Sequence, residues 1–311
     1  MMRAISSTMA LVLLAVAGVC AAEPVRTLNH AFGTTRVEGT PLRVVTLYQG
    51  ANDTAVALGI EPVGVVDSWV EKPMYRYLRE PLSEAAHLGL ETQPNLEGIA
   101  WLQPDLIVAT RYRHEQIRHL LARIAPTVAQ RTAYGFKETL RLMGRATGRE
   151  ARARELLADW QRRVAAFRNR ARCALGEDWP QEAAVVGFKS DHARIYYSGF
   201  AGSILEELGF RRPQAHQGGG WGVKLTNQES IPAMNAEVMF VFMNDDDPAV
   251  VENFRRWQAH PLWRTLDAVD NDRVYHVDNV TWSMGAGILA ANAVLDDLFE
   301  IYGLREGGRG C

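Results

Sequence analysis

Residues 87–128 read HLGLETQPNLEGIAWLQPDLIVATRYRHEQIRHLLARIAPTV and alternate between helix and strand patterns. Asn95 can cap a helix with apolar residues at helical spacing, and the Gln103-Pro104-Asp105 turn ends that helix. Residues 106–109 then predict a short buried strand, and a second helix is predicted from about Glu115 to Ile124. This order of elements is typical of an α/β fold.

Two arginines directly follow the predicted strand. Arg111 and Arg113 flank Tyr112, so in an extended segment both side chains project from the same side. Ligands of open α/β sheets bind just beyond the carboxyl ends of strands, and two adjacent guanidinium groups suit a polycarboxylate or a similar anion. The alternative is that both arginines are solvated loop residues.

Residues 87–109, taken together with Ile124-Ala125-Pro126-Thr127-Val128, resemble the N-terminal lobe of periplasmic iron-siderophore-binding proteins of ABC importers, and especially the ferric-citrate-binding branch. The resemblance extends from about Ala31 to Leu304. It implies an α/β fold of two Rossmann-like lobes joined by a long backbone helix, the class III periplasmic-binding-protein fold. It also implies a monomeric binding protein that catalyses no reaction, captures a ferric chelate between its lobes and delivers it to an ABC permease in the inner membrane.

The N-terminus carries the pattern of an export signal. A positive residue precedes the apolar run at residues 9–19, and small residues follow before Glu23. Residues 1–22 are therefore predicted to be a signal peptide and the mature protein to be periplasmic, because the apolar run is too short to span a bilayer. Cys20 leaves lipid attachment open, but Val19 is a poor residue before a lipidated cysteine, which favours a soluble form.

The two halves of the chain share a pattern. Residues 99–108, IAWLQPDLIV, and residues 231–241, IPAMNAEVMFV, each predict a short helix, a polar turn with an acidic residue and an apolar strand. This pattern indicates duplicated lobes rather than a solenoid, because the repeat unit is too long. Residues 150–172 place apolar side chains at helical spacing without proline, which predicts a long connecting helix. The predicted organisation is a signal peptide (1–22), a first lobe (23–136), a connecting helical segment (137–172) and a second lobe (173–311).

Other segments complete the predicted lobes. Apolar runs of strand length alternate with helical segments, and two of those helices end at a glycine. The predicted strands are 43–47, 63–66, 184–188, 195–197 and 273–277, and the predicted helices are 52–58 and 202–208.

A ligand between the lobes would contact side chains from strand ends and loops. Three glycines followed by Trp221 and Lys224 make a loop that can approach a ligand closely, with an aromatic wall and a cation. The alternatives are that the tryptophans are core or rim residues and that the lysines are solvent-exposed. The predicted ligand contacts are Tyr48, Trp69, Arg111 and Arg113 from the first lobe, and Lys189, Tyr197, Trp221, Lys224 and Trp282 from the second.

The resemblance also implies a docking surface for the permease. In this class of protein an acidic residue on each lobe pairs with permease arginines, and Asp53 occupies that place in the first lobe. An aspartate there is equally suited to capping a helix. The second lobe has Ser203 at the corresponding place, which leaves Glu206 or Glu207 as substitutes.

Other classes of site have little support. A net charge of -2 argues against nucleic-acid binding. No zinc, Cys-x-x-Cys or nucleophile-elbow motif occurs, and the run of three acids before Pro248 is typical of a solvated turn. We therefore expect no metal held by protein side chains and no cofactor. Cys173 and Cys311 can form a disulfide in an oxidising compartment.

These patterns and the resemblance favour a binding protein for a ferric chelate that supplies its own oxygen ligands to iron. Ferric citrate is the first choice, because of the branch that the chain resembles and the paired arginines. A hydroxamate siderophore or haem is the next. From a different functional class, the alternative is a solute sensor or interaction domain that has lost transport.

Overall fold

The structure is a computed structural model that describes residues 25–304. The strands in this range are β1 Val25–His30, β2 Gly33–Glu38, β3 Val44–Thr46, β4 Gly64–Asp67, β5 Ala86–Leu90, β6 Gln93–Pro94, β7 Leu106–Thr110, β8 Thr127–Gln130, β9 Ala183–Phe188, β10 Ala193–Tyr196, β11 Gly222–Leu225, β12 Val238–Phe242 and β13 Val274–His276. The α-helices are α1 Gln49–Ala57, α2 Leu96–Trp101, α3 Arg111–His114, α4 Arg118–Ile124, α5 Phe136–Ala146, α6 Glu150–Leu175, α7 Phe200–Leu208, α8 Pro248–Ala259, α9 Asp267–Asp270 and α10 Ile288–Ile301.

The first sheet has the strand order β6-β5-β4-β3-β7-β8, and all neighbours are parallel except β5 and β6. Every residue of β3 and β7 is buried, as is typical of parallel strands covered on both faces. The strands predicted at 43–47, 63–66 and 106–109 are confirmed to within two residues. Asn95 caps α2 as predicted, because its side chain accepts a hydrogen bond from the Gly98 N–H at 2.9 Å.

The second sheet has the order β11-β10-β9-β12-β13. Strands β9, β12 and β13 are parallel, while β10 and β11 form an antiparallel edge. The repeated pattern is confirmed: α2 and β7 correspond to the 3-10 helix Gln228–Met234 and β12. Asp247 caps α8 by accepting from the Ala249 N–H at 3.0 Å, which agrees with the predicted turn.

One apolar cluster connects the two lobes. It includes Val44 of β3 and Val238 of β12, together with side chains from α1, α5, α6, α7 and α10. Two further clusters lie on the opposite faces of the first and the second sheet. The two-lobed α/β architecture predicted from the sequence is therefore confirmed.

The connecting segment consists of two helices. Helix α6 is 26 residues long, and its buried side chains Ala153, Leu157, Trp160, Val164, Phe167 and Ala171 recur at helical spacing, as predicted. Gly148, with a φ of 70°, separates α6 from the shorter α5. The exact boundaries of the lobes at 136/137 and 172/173 stay a prediction.

Asp53 lies where α1 meets α10. It is 0% exposed, and its carboxylate accepts hydrogen bonds from the Leu289 and Ala290 N–H groups, both at 2.9 Å, and from the Tyr77 hydroxyl at 3.0 Å. Asp53 therefore binds the N-terminus of α10, a helix 235 residues further along the chain. The predicted docking role of Asp53 is wrong, because a permease arginine cannot reach a fully buried carboxylate.

Three predictions fall partly or wholly on residues outside 25–304. The signal peptide, the lipidation site Cys20 and the proposed disulfide partner Cys311 all lie there. Cys173, near the end of α6, is disulfide-bonded. Among the described helices, none combines the length and the apolar character that a membrane crossing requires.

Candidate ligand-binding cleft

A cavity of about 270 Å³ lies between the two lobes. A second cavity, of about 600 Å³, adjoins it and shares three lining residues with it, Arg113, Tyr134 and Trp221. We call the two together the cleft. Its inner part is lined by Gln49, Gly50, Trp69, Glu91, Arg113, Ala133, Tyr134, Tyr196, Trp221, Ser283, Met284 and Ala286.

The first lobe contributes an arginine stacked on a tryptophan. The Arg113 guanidinium carbon lies 5.4 Å from the centre of the Trp69 ring, and the Arg113 Nε donates to Glu91 Oε1 at 3.3 Å. Glu91 is 3% exposed, and this burial raises the pKa of its carboxyl group, although Arg113 opposes the shift. Arg113 is thus held by an aromatic face and a carboxylate, while the guanidinium borders the cleft.

The prediction of two arginines on one side of an extended segment is wrong. Arg111 and Arg113 lie in α3, whose first turn is capped by Thr110, and the helical path turns their side chains apart. Arg111 forms an ion pair with Glu115 at 2.7 Å, is 56% exposed at its side chain, and does not line the cleft. The predicted helix from 115 to 124 is a 3-10 turn at Glu115–Ile117 followed by α4.

The second lobe contributes a similar pair. The Arg194 guanidinium carbon lies 4.3 Å from the centre of the Trp221 ring, and Trp221 is 51% exposed in the cleft wall. Tyr196 lies beside Trp221, with ring centres 5.8 Å apart. Each lobe therefore presents one arginine–tryptophan pair, and both tryptophans border the same cavity.

The two lysines predicted as ligand contacts lie beside this pair. Lys224 is opposite Arg194 in the β10–β11 register and forms an ion pair with Asp191 at 3.3 Å. Lys189 follows β9, and burial together with the nearby Arg194 lowers its pKa. Neither lysine lines the described cleft.

Three predicted contacts do not face the inner cleft. Tyr48 is 0% exposed and hydrogen-bonds Thr139 at 3.0 Å. Trp282 is also fully buried: its indole N–H donates to Asp297 at 2.7 Å and its ring packs on Phe240. Tyr197 stacks on His216 and lines a separate second-lobe cavity. The assignment to the cleft is wrong for Tyr48, which fills the core, and for Tyr197, which lines the separate cavity. Trp282 borders a small cavity of about 40 Å³ that shares Tyr134, Tyr196, Trp221 and Ser283 with the inner cleft.

Several cleft residues were missed. Alternation along β10 buries Ala193 and Ile195 and turns Arg194 and Tyr196 to the other face, so strand periodicity could have selected Tyr196 instead of Tyr197. Burial raises the pKa of Tyr196 and of Tyr134, which keeps both hydroxyls protonated as donors at neutral pH. Ser283 and Met284 come from a π-helix, Val280–Met284, for which the sequence gives no signal.

The acidic residues proposed for second-lobe docking have partners. Glu207 forms an ion pair with Lys137 of α5 at 2.8 Å, and Glu206 pairs with Arg212 at 3.7 Å. Ser203 donates to the Phe200 carbonyl at 2.8 Å. Within residues 25–304, no group of three or more His, Cys, Asp or Glu side chains is placed to hold a metal ion.

Comparisons with known proteins agree with this architecture. The family model for the periplasmic binding protein matches residues 44–281. The Achromobactin-binding periplasmic protein of Dickeya dadantii (strain 3937) is 48% identical over 269 residues, covering 86% of this chain and 88% of the relative. The crystal structure of Staphylococcus aureus SirA complexed with staphyloferrin B has a TM-score of 0.87 and 42% identity, covering 90% of this chain and 99% of SirA.

A relative named for ferric citrate also matches. The Fe(3+) dicitrate-binding periplasmic protein FecB of Escherichia coli (strain K12) is 28% identical over 291 residues, which cover 88% of this chain and 92% of FecB. The resemblance read from the sequence, the class III fold and the absence of an enzymatic role are confirmed by the family and its members. The protein functions outside the cytoplasm, as its periplasmic relatives do. The chain therefore belongs to the periplasmic binding protein family, in its group of iron-siderophore-binding proteins.

Proposed function

We propose that this protein captures an anionic ferric siderophore in the cleft and delivers it to an ABC permease. The observation that carries the proposal is the arrangement of two arginine–tryptophan pairs, Arg113 on Trp69 and Arg194 on Trp221, one from each lobe. Both tryptophans line one cavity between the lobes. A ligand placed there would contact Arg113 and an aromatic face from each lobe, with Arg194 stacked on the second-lobe tryptophan.

The pairs suit an anionic chelate for a physical reason. Removing a charged ligand from water is costly unless several opposite charges compensate it. An arginine stacked on an aromatic ring keeps its in-plane N–H groups available for carboxylate oxygens. The tyrosine hydroxyls of Tyr134 and Tyr196 add neutral donors at the same cavity. The chelate brings its own oxygen ligands for iron.

The sequence identity of the relatives sets the order in which we consider the candidate chelates. The relative named for achromobactin is 48% identical, and the structure that holds staphyloferrin B is 42% identical. These two siderophores are therefore our first candidates. Ferric citrate, which the sequence patterns favoured, is the next, because the relative named for it is 28% identical.

The test is calorimetric titration with ferric achromobactin, ferric staphyloferrin B, ferric citrate and the iron-free ligands. We expect saturable binding of one ferric chelate, and Arg194→Ala should weaken it at least about tenfold because the cation stacked on the cleft tryptophan Trp221 is lost. Lys224→Ala is the matched control, since Lys224 lies opposite Arg194 in an exposed ion pair, and should change affinity by less than about twofold. Wild-type protein that binds none of the chelates, or equal affinity in Arg194→Ala, would refute the proposal.

Export through the signal at residues 1–22 as a soluble protein belongs to the same proposal. It is supported by the apolar run and by the unfavourable Val19 before Cys20. Mass spectrometry of the mature N-terminus distinguishes a chain that begins at Glu23 from one that begins at a lipidated Cys20.

A further inference from the structure

Glu91 is a buried carboxylate in the inner wall of the cleft, where it lies beside Arg113 and Trp69. It follows β5 directly, and its side chain is 4% exposed. Its carboxylate accepts from Arg113 Nε at 3.3 Å, and the nearby Gln49 backbone and Trp69 side chain oppose the rise of its pKa. Arg113, Gln49 and Trp69 all line the inner cleft. Glu91 therefore joins the first-lobe groups that border the ligand.

The backbone of Glu91 is fixed as well. His114 is 0% exposed, and its Nε2 lies 2.9 Å from the Glu91 carbonyl oxygen. Its other nitrogen, Nδ1, lies 3.1 Å from the Thr110 backbone nitrogen, at the start of α3. The loop after β5 and the helix that carries Arg113 are thus tied together by a buried side chain.

We propose that Glu91 is a positioning residue that orients Arg113 and Trp69 for the anionic part of the chelate. This inference rests on the proposed function. The carboxylate engages the inner Nε of Arg113, which leaves the terminal guanidinium nitrogens for the ligand. Glu91 therefore acts by orienting Arg113 through its Nε and does not itself bind the ligand.

Two effects of Glu91 on an anionic ligand oppose each other. A negative charge in the cleft wall repels the ligand, whereas a fixed Arg113 attracts it more strongly because less side-chain freedom is lost on binding. Removal of the charge alone would therefore tighten binding if repulsion dominated. Burial also raises the pKa of Glu91, and the charge of Arg113 opposes that rise. The sign of the change in affinity separates the two roles.

The experiment measures affinity for the ferric chelate that binds the wild-type protein, using Glu91→Gln and Glu91→Asp. Glu91→Asp keeps the charge but shortens the side chain, so it tests reach to Arg113 and remains informative if Glu91→Gln does not fold. We expect both variants to bind about tenfold more weakly. In an Arg113→Ala background, Glu91→Gln should change affinity by less than about twofold, because the two residues act as a unit. Glu97→Gln, an exposed residue of α2, is the control and should bind like wild type.

Equal or tighter binding by Glu91→Gln would overturn the inference, as would an undiminished effect of Glu91→Gln in the Arg113→Ala background. A measurement without ligand separates this inference from the proposed function. The emission of Trp69, taken as the difference between each protein and its Trp69→Phe version, should shift in Glu91→Gln because Arg113, which stacks on the Trp69 ring, loses the carboxylate that holds it. An unchanged emission contradicts the positioning role, whereas failure of the wild-type protein to bind any chelate contradicts the proposed function.

Discussion

At the scale of single residues, Arg113 and Arg111 show how one helical turn separates two similar side chains. Arg113 is 28% exposed at its side chain and contacts Glu91 and Trp69, whereas Arg111 is 56% exposed and pairs with Glu115. A cation in a partly desolvated wall interacts more strongly with an anion than a cation in open solvent does. We therefore assign the first-lobe cation of the site to Arg113 alone.

Arg113→Ala should weaken affinity for the ferric siderophore at least about tenfold, because one charged hydrogen-bonding partner is removed from the cleft. Arg111→Ala is its natural control, two residues away in the same helix, and should change affinity by less than about twofold. Equilibrium titration of both variants measures these changes. An equal loss of affinity in the two variants would indicate that Arg111 and Arg113 bind the ligand together, and it would contradict the assignment.

The site was only partly predictable from residue types. Trp69, Arg113 and Trp221 were predicted and border the cleft. Tyr48 and Trp282 have the same polar and aromatic character but are fully buried, and no local pattern distinguishes a core aromatic residue from a wall of the site. Arg194 and Tyr196 were not predicted, although strand alternation could have indicated them, and Glu91 was unpredictable because its neighbours come from separate elements.

At the scale of elements, the junction of α1 and α10 depends on one buried carboxylate. Asp53 accepts from the Leu289 and Ala290 N–H groups, which lack partners within their own helix. Gly287 permits this approach, because an added Cβ would lie 2.1 Å from Asp53 Oδ1. Burial nevertheless raises the pKa of Asp53 from 3.8 to about 6, despite the hydrogen bonds that oppose the shift.

This shift predicts a pH dependence of stability. Between about pH 4 and pH 6 folded Asp53 holds a proton that the unfolded chain has released, so its contribution to the free energy of unfolding falls as pH rises through that window. Below pH 4 both states are protonated. The stability of wild type relative to Asp53→Asn should therefore decrease by about 3 kcal/mol from pH 4 to pH 7. Urea unfolding of both proteins measures it, and a difference that does not vary with pH would indicate that the carboxylate stays ionised.

Elements whose pattern is local were predicted well. The strands of the first sheet are short apolar runs, and α6 has apolar residues at strict helical spacing. The sequence predicts an extended segment after β7 where the structure has α3, although Thr110 is a good helix cap directly after a strand. The contact between α1 and α10 could not be predicted, because its partners are more than 230 residues apart and no local periodicity encodes that distance.

At the scale of the whole molecule, a continuous apolar core joins the two lobes through α6 and α10. The cleft lies between sheets that this core holds together, so Arg113, Trp69 and Trp221 border one cavity, and Arg194 stacks on Trp221. The duplicated pattern at 99–108 and 231–241 predicted the lobes correctly. The identity of the ligand depends on how side chains of both lobes meet in the cleft. No local sequence pattern predicts that arrangement.

The measurement that tests the central claim most directly is a tryptophan-fluorescence titration with ferric achromobactin, ferric staphyloferrin B and ferric citrate. Trp69 and Trp221 border the cleft, whereas Trp282 and Trp160 are fully buried. We predict saturable quenching by one ferric chelate at micromolar concentration or below, and loss of most of that quenching in a Trp69→Phe/Trp221→Phe variant. Absence of saturable quenching by every ferric chelate, from a protein that is folded by circular dichroism, would contradict the account.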